Sequence, residues 1–311
     1  MAKTVTSAPE QEIRRIIIVN HGETVEKVFG HQWLKFYDDD GNLKCSRAFS
    51  TANYVTFEDG NLPISLLDRA EGNKMYDRDV PLTEVGKLGS LEVGYFLGSA
   101  GLTSAKIGGV VYCSPTCASV ESAHYVCKGL ALAAAGSQPA NDDVKLRIEN
   151  GLIMQLGQDA RLNARNMPKW LTPSEIQDGL GRPVDTAYKP VVTDLNTETV
   201  EDCYARMRKT MEKLIATVPA KKEQTLLIVG HPATFEGCTR FLYNGPLRRQ
   251  RDFDTVCRQI PFCASIRMSE RTANNWQMTE PLVPCLTHSA NDAYRWEAFG
   301  DQNEMRKVLK K

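Results

Sequence analysis

Three short β-branched runs constrain this chain most, because each stops at a polar residue able to do chemistry. They are IIIV before Asn20-His21, GVVYC before Ser114-Pro115, and TLLIVG before His231. Apolar runs of this length suit strands buried on both faces, as in a parallel sheet. Helical spacing lies between them. In 199–218 the apolar positions Val200, Cys203, Tyr204, Met207, Met211, Leu214, Ile215 and Val218 recur three and four apart behind a Thr199 N-cap. Further helices are expected over about 83–97 and 116–135, the latter closed by Gly136. The alternation predicts an α/β fold of three layers, α/β/α, with a mostly parallel sheet. Ligands of such sheets bind beyond the carboxyl ends of the strands, which is where His21, Ser114 to Ala118 and His231 are expected to converge.

The rest of the composition narrows the class. With 311 residues and 42% hydrophobic content the chain can bury a large core. Lys plus Arg and Asp plus Glu are both 38, giving no net charge and no global case for nucleic acid or an anionic membrane. No apolar stretch approaches the roughly 20 residues that span a bilayer, and the N-terminus lacks an apolar signal core, so a cytoplasmic protein is expected. Nine cysteines without CxxC spacing argue against a disulfide framework and a zinc site and read as buried thiols; no cofactor is expected. The segments 30–79 and 156–197 are polar and turn-rich, insertions of the kind that cover a site or a partner surface. One domain over 15–300 is expected, after a flexible 1–14 and before a charged tail at 301–311. The basic stretches 247–251 and 305–311 read as surface or helix-end charge.

Two of the five histidines, His21 and His231, follow buried runs, with Gly22 and Pro232 behind them as tight strand-to-helix turns require. With this pattern the chain resembles the histidine phosphatase, or phosphoglycerate mutase-like, superfamily. It is most like the Sts/TULA-type protein tyrosine phosphatases and the ecdysteroid-phosphate phosphatases. The resemblance runs from about Arg15 to Phe299 through VFGHQW, RDVPLTEVG, VYCSP, NGL, PKWLTPSE, VDTAYKP, LLIVGH and PCLTH with Trp296. It implies a histidine nucleophile, a second histidine and two arginines around the phosphoryl group, and a carboxylate that protonates the leaving oxygen.

Carried over residue by residue, that set is incomplete here. His21 and His231 keep the two histidines. Asn20 stands where the first arginine belongs, and a neutral amide cannot form the bidentate fork. Thr24 occupies a position that is arginine in Sts-type phosphatases and threonine in phosphoglycerate mutases. The pattern Ser-Pro-x-x-Arg becomes Ser114-Pro115-Thr116-Cys117-Ala118, and the carboxylate position falls on Met154. Losing one oxyanion donor costs about 10²–10³ in rate and losing a general acid about 10²–10⁴. The resemblance therefore implies a catalytically impaired phosphatase with a binding or regulatory role. Phosphate-like ligands should bind weakly, and the partner would be a second copy or an active relative. The chain begins almost at its first strand, so the ubiquitin-binding and SH3 modules of vertebrate relatives are expected to be lacking. The alternative is an atypical phosphomonoesterase using His21, with displaced cations such as Arg47, Arg69, Arg161 or Arg165 and with Glu121 or Asp159 as acid. A third reading is a site for a non-phosphate ligand, since Ala118 and Met154 make the pocket less anion-seeking.

Overall fold

The computed structural model describes residues 14–44, 61–135, 143–157, 167–221 and 223–283. Arg47, Asp159, Arg161 and Arg165, the PCLTH stretch with Trp296, Gly136 and the two terminal segments lie outside them. The three apolar runs become strands β1 (Arg14–Asn20), β2 (Val110–Cys113) and β4 (Gln224–Gly230). They are joined by β3 (Lys145–Ile148), β5 (Ser265–Thr272) and β6 (Asn275–Thr279) in one sheet of order β3-β2-β4-β1-β5-β6. β1, β2, β3 and β4 pair in parallel, whereas β5 runs antiparallel to β1 and to β6. The sheet is mixed at one edge only.

Alternation of side chains across β1 divides the core in two. Ile17 and Val19 pack into a cluster with α2 (Glu84–Ser99) and α3 (Cys117–Ala135), while Ile16 and Ile18 meet α5 (Val200–Thr217) and α6 (Pro232–Tyr243). This is the three-layer fold expected from the sequence. Thr83 caps α2 by accepting the Gly86 N–H, and Thr199 caps α5 in a capping box with Asp202. α2 and α3 approach until a Cβ on Gly94 would lie 2.0 Å from the Val126 carbonyl oxygen. Only glycine permits that spacing.

The described parts of the two insertions are more ordered than their composition suggests. Besides α1 (Val25–Phe29) at the mouth of the first, helix α4 (Pro173–Leu180) forms in the second behind a Thr172–Glu175 capping box and stops at a left-handed Gly181. α7 (Gln250–Gln259) begins within the basic stretch 247–251, from which Arg248 reaches back to Glu236 at 2.8 Å. Of the described cysteines, six are buried thiols and Cys257 is half-buried. No helix among the described residues is long and apolar enough to cross a membrane.

Candidate active site

Strand register brings the histidines together. Asn20 pairs with Gly230 in the parallel β1–β4 ladder, so the next residues, His21 and His231, emerge side by side with ring centroids 5.2 Å apart. The His21 N–H continues the ladder by donating to the Gly230 carbonyl at 3.0 Å. In β2, Cys113 pairs with Val229, which sets Ser114 beside the same strand end. Its hydroxyl lies 2.9 Å from His231 Nε2, with the Thr116 and Ser119 hydroxyls at 3.3 and 3.5 Å. His231 itself precedes Pro232, the first residue of α6, and its N–H donates to Thr234 Oγ1 at 2.9 Å. The strand ends, separated by more than 200 positions in sequence, form one site.

The turn after β1 is packed tightly enough to fix the His21 backbone. A Cβ on Gly22 would lie 2.3 Å from the Gly86 carbonyl oxygen, and the Gly22 N–H donates to Ser122 Oγ at 2.9 Å. His21 Nδ1 sits 2.8 Å from the Gly22 carbonyl oxygen, an acceptor only, so Nδ1 carries the proton and Nε2 the lone pair. Phe262 lies against the ring with centroids 5.7 Å apart. Burial, offset in part by the Gly22 carbonyl and reinforced by Lys27, lowers the His21 pKa to about 4. His231 is held well below its ordinary value, first by burial, then by His21 and Arg206. Both imidazoles are neutral at pH 7.

His21, Thr24, Ala118, Met154 and His231 line a cavity of about 820 Å³. Asn20 and Gly22 stand behind the wall. Asn20 is fully buried, its Nδ2–H donates to the Pro261 carbonyl at 2.8 Å, and its Oδ1 has no partner among the described residues. Ala118 lies in the first turn of α3 and is 5% exposed, so a methyl group faces the place where an arginine would reach. Met154 is positioned from α5: Arg206 donates to the carbonyls of Gly151, Ile153 and Met154 at 2.7, 3.0 and 3.2 Å while paired with Glu198.

The described candidates for refilling the missing roles are committed elsewhere. Arg69 donates to Asp79 at 2.6 Å and to the Lys169 carbonyl and stacks over Tyr76, away from the cavity wall. Glu121 accepts the Leu82 N–H at 2.7 Å and is pushed up to about 7, mainly by burial, but also lies off the wall. Sequence reasoning missed Asp79, which lines the cavity and accepts the Cys117 N–H at 2.6 Å, although the RDVPLTEVG motif contains it. It placed Ser114 and Thr116 beside His231 but missed Ser119 and the contact of all three hydroxyls with the His231 ring, whose signal is the Ser114, Thr116, Ser119 spacing across a strand-to-helix turn. The Gln155–Gln250 amide pair, bridging the wall at 2.8 and 2.9 Å, left no sequence signal. Among the described residues the wall carries three basic side chains, Lys27, Arg78 and Arg258, against five carboxylates, Glu26, Asp77, Asp79, Glu198 and Asp254. Since Asp79 and Glu198 are already paired with Arg69 and Arg206, the remaining wall charges are balanced and give no net attraction for anions.

No family model matches the chain. Ubiquitin-associated and SH3 domain-containing protein B of Mus musculus is 30% identical over 297 residues, covering 94% of this chain and 42% of that protein. The ecdysteroid-phosphate phosphatase of Drosophila melanogaster is 29% identical over 295 residues, covering 92% and 34% respectively. The chain thus spans less than half the length of these curated relatives. The crystal structure of the ecdysone phosphate phosphatase of Bombyx mori in complex with tungstate superposes with a TM-score of 0.69 at 25% identity, over 92% of this chain and 99% of that one. With the two histidines meeting at the strand ends of the same three-layer fold, the chain is a relative of the ubiquitin-associated and SH3 domain-containing (Sts/TULA) and ecdysteroid-phosphate phosphatase proteins and has the phosphoglycerate mutase-like fold of the Bombyx mori enzyme.

Proposed function

We propose that this is a catalytically impaired histidine phosphatase-like protein whose site serves binding or regulation. One observation carries the reading: the positions that should supply charge supply none. Ala118 and Met154 present apolar atoms to the cavity, and the Asn20 amide is turned into the Pro261 carbonyl. Charge on a transferring phosphoryl group must be met by preorganised cations and donors, and a thioether gives up no proton. A neutral His21, with no arginine at the Asn20 or Ala118 position, leaves a phosphate dianion poorly compensated at the ring. Pairing with a second copy or with an active relative is the regulatory role this reading favours. Titration calorimetry with phosphate and with tungstate tests it: dissociation constants in the millimolar range or weaker are expected, and micromolar binding would contradict it.

A second reading, a slow phosphomonoesterase, is favoured by the His21 ring itself. Its Nδ1 is anchored and its Nε2 carries the lone pair, the state a phosphate-accepting nucleophile needs. In that reaction Nε2 bonds to phosphorus as the bond to the leaving oxygen breaks, and water later cleaves the phosphohistidine. Lys27, which lines the cavity and whose charge reaches His21, would supply a cation in that reaction. Activity lost in both His21→Ala and Lys27→Ala would support this second reading over the first.

A further inference from the structure

A cavity of about 820 Å³ that no longer anchors an anion still lies within the usual size range of small-molecule sites. Its chemistry selects the ligand. At the floor, His21 Nδ1 is satisfied by the Gly22 carbonyl, and Nε2, an acceptor, has no partner among the described residues. Phe262 lies against the same ring, and Ala118 and Met154 add apolar wall where the fold's phosphatases would place charge. Asp79, 1% exposed, accepts from Arg69 on one oxygen and from the Cys117 N–H on the other, and offers a ligand no donor.

A phosphate dianion brings only acceptors to this floor. It would face the Nε2 lone pair, with a methyl group at Ala118 and a thioether at Met154 in place of charged partners to replace its hydration there. A hydroxyl brings one donor, which Nε2 can accept, and a ring attached to it can lie against Phe262. We propose that the cavity takes an uncharged hydroxylated ring compound, its O–H donating to His21 Nε2 and its ring packed on Phe262, Met154 and Ala118. The ligand is then the alcohol or phenol itself rather than its phosphate ester. This rests on the reading of the site as charge-depleted.

The probes are 2-naphthol, 2-methoxynaphthalene and 2-naphthyl phosphate, titrated by fluorescence against the full chain at pH 7. 2-Naphthol should bind with a dissociation constant on the order of 100 µM, the affinity expected for about eleven non-hydrogen atoms. It should bind at least ~5-fold tighter than the methyl ether, which has no donor, and at least ~10-fold tighter than the phosphate ester. In His21→Phe, which keeps a ring but removes the acceptor, the difference between 2-naphthol and its methyl ether should vanish. Equal binding of 2-naphthol and the ether to the wild type overturns the proposal, as does a preference that survives in His21→Phe. If the three probes all bind negligibly, this proposal fails while the charge-depleted reading stands. Tighter binding of 2-naphthyl phosphate than of 2-naphthol overturns both.

Discussion

Asn20→Arg, Ala118→Arg and Met154→Glu introduced together should return phosphatase activity to a scaffold that has kept its histidines. The structure sets the cost of each change. Ala118 and Met154 already face the cavity, so their replacements extend into open space. Asn20 is fully buried, and enlarging it carries the usual overpacking cost of about 1–3 kcal/mol. Losing its bond to Pro261 costs about 1 kcal/mol, but the change also removes the buried Oδ1 that lacks a partner, a group of similar cost. The triple variant should therefore fold, with a melting temperature lowered by several degrees. In rate, each recovered oxyanion donor is worth about 10²–10³, yet groups that act as a unit are not additive. Single reversions should gain less than ~10-fold, whereas the triple variant should exceed the wild type by at least ~10² on an aryl phosphate. Adding His21→Ala should return it to background. A cooperatively folded triple variant that binds tungstate but shows no gain would refute the account of what the site lacks. Ala118→Arg alone matching the triple variant would refute the idea that three roles were lost together.

The depressed His21 pKa makes a signed prediction about acid stability. Because the folded pKa is about 4 and the ordinary value 6.5, the unfolded chain takes up the proton first as pH falls. The associated stability is fully present above pH 6.5 and is lost between about 6.5 and 4, on the order of 2–3 kcal/mol. Urea midpoints for His21→Ala should decline less over that window than those of the wild type; parallel declines would contradict the half-buried, neutral imidazole. Gly94→Ala should lower the unfolding free energy by about 1–3 kcal/mol, read as a lower urea midpoint at unchanged slope, because its Cβ would meet backbone rather than a movable side chain. No change in midpoint would show that α2 and α3 separate freely.

The sequence displayed the fold through its strongest regularities. Buried runs IIIV, VVYC and TLLIV could only be strands covered on both faces, and the spacing in α5 marked one covering helix to within a residue. β3, β5 and β6 were not legible, since KLRI is short and SIRMSERT alternates with arginines at the antiparallel edge. α4 was hidden by the prolines and glycines around it, although Pro173 at its first position and Thr172 and Glu175 as a capping box are start signals rather than breakers. At the site, the two histidines were visible because each ends a strand. Whether Asn20 faces the cavity was not, because that depends on the loop carrying Pro261, more than 200 positions away. The commitments of Arg69 and Glu121 were equally invisible, being set by the Asp79 carboxylate and the Leu82 N–H.

Turnover of an aryl phosphate by purified wild-type protein, measured beside His21→Ala, tests the central claim most directly. The account predicts that the two rates coincide at the background of the assay. A wild-type rate well above background that His21→Ala abolishes would contradict it and make the chain a working phosphatase.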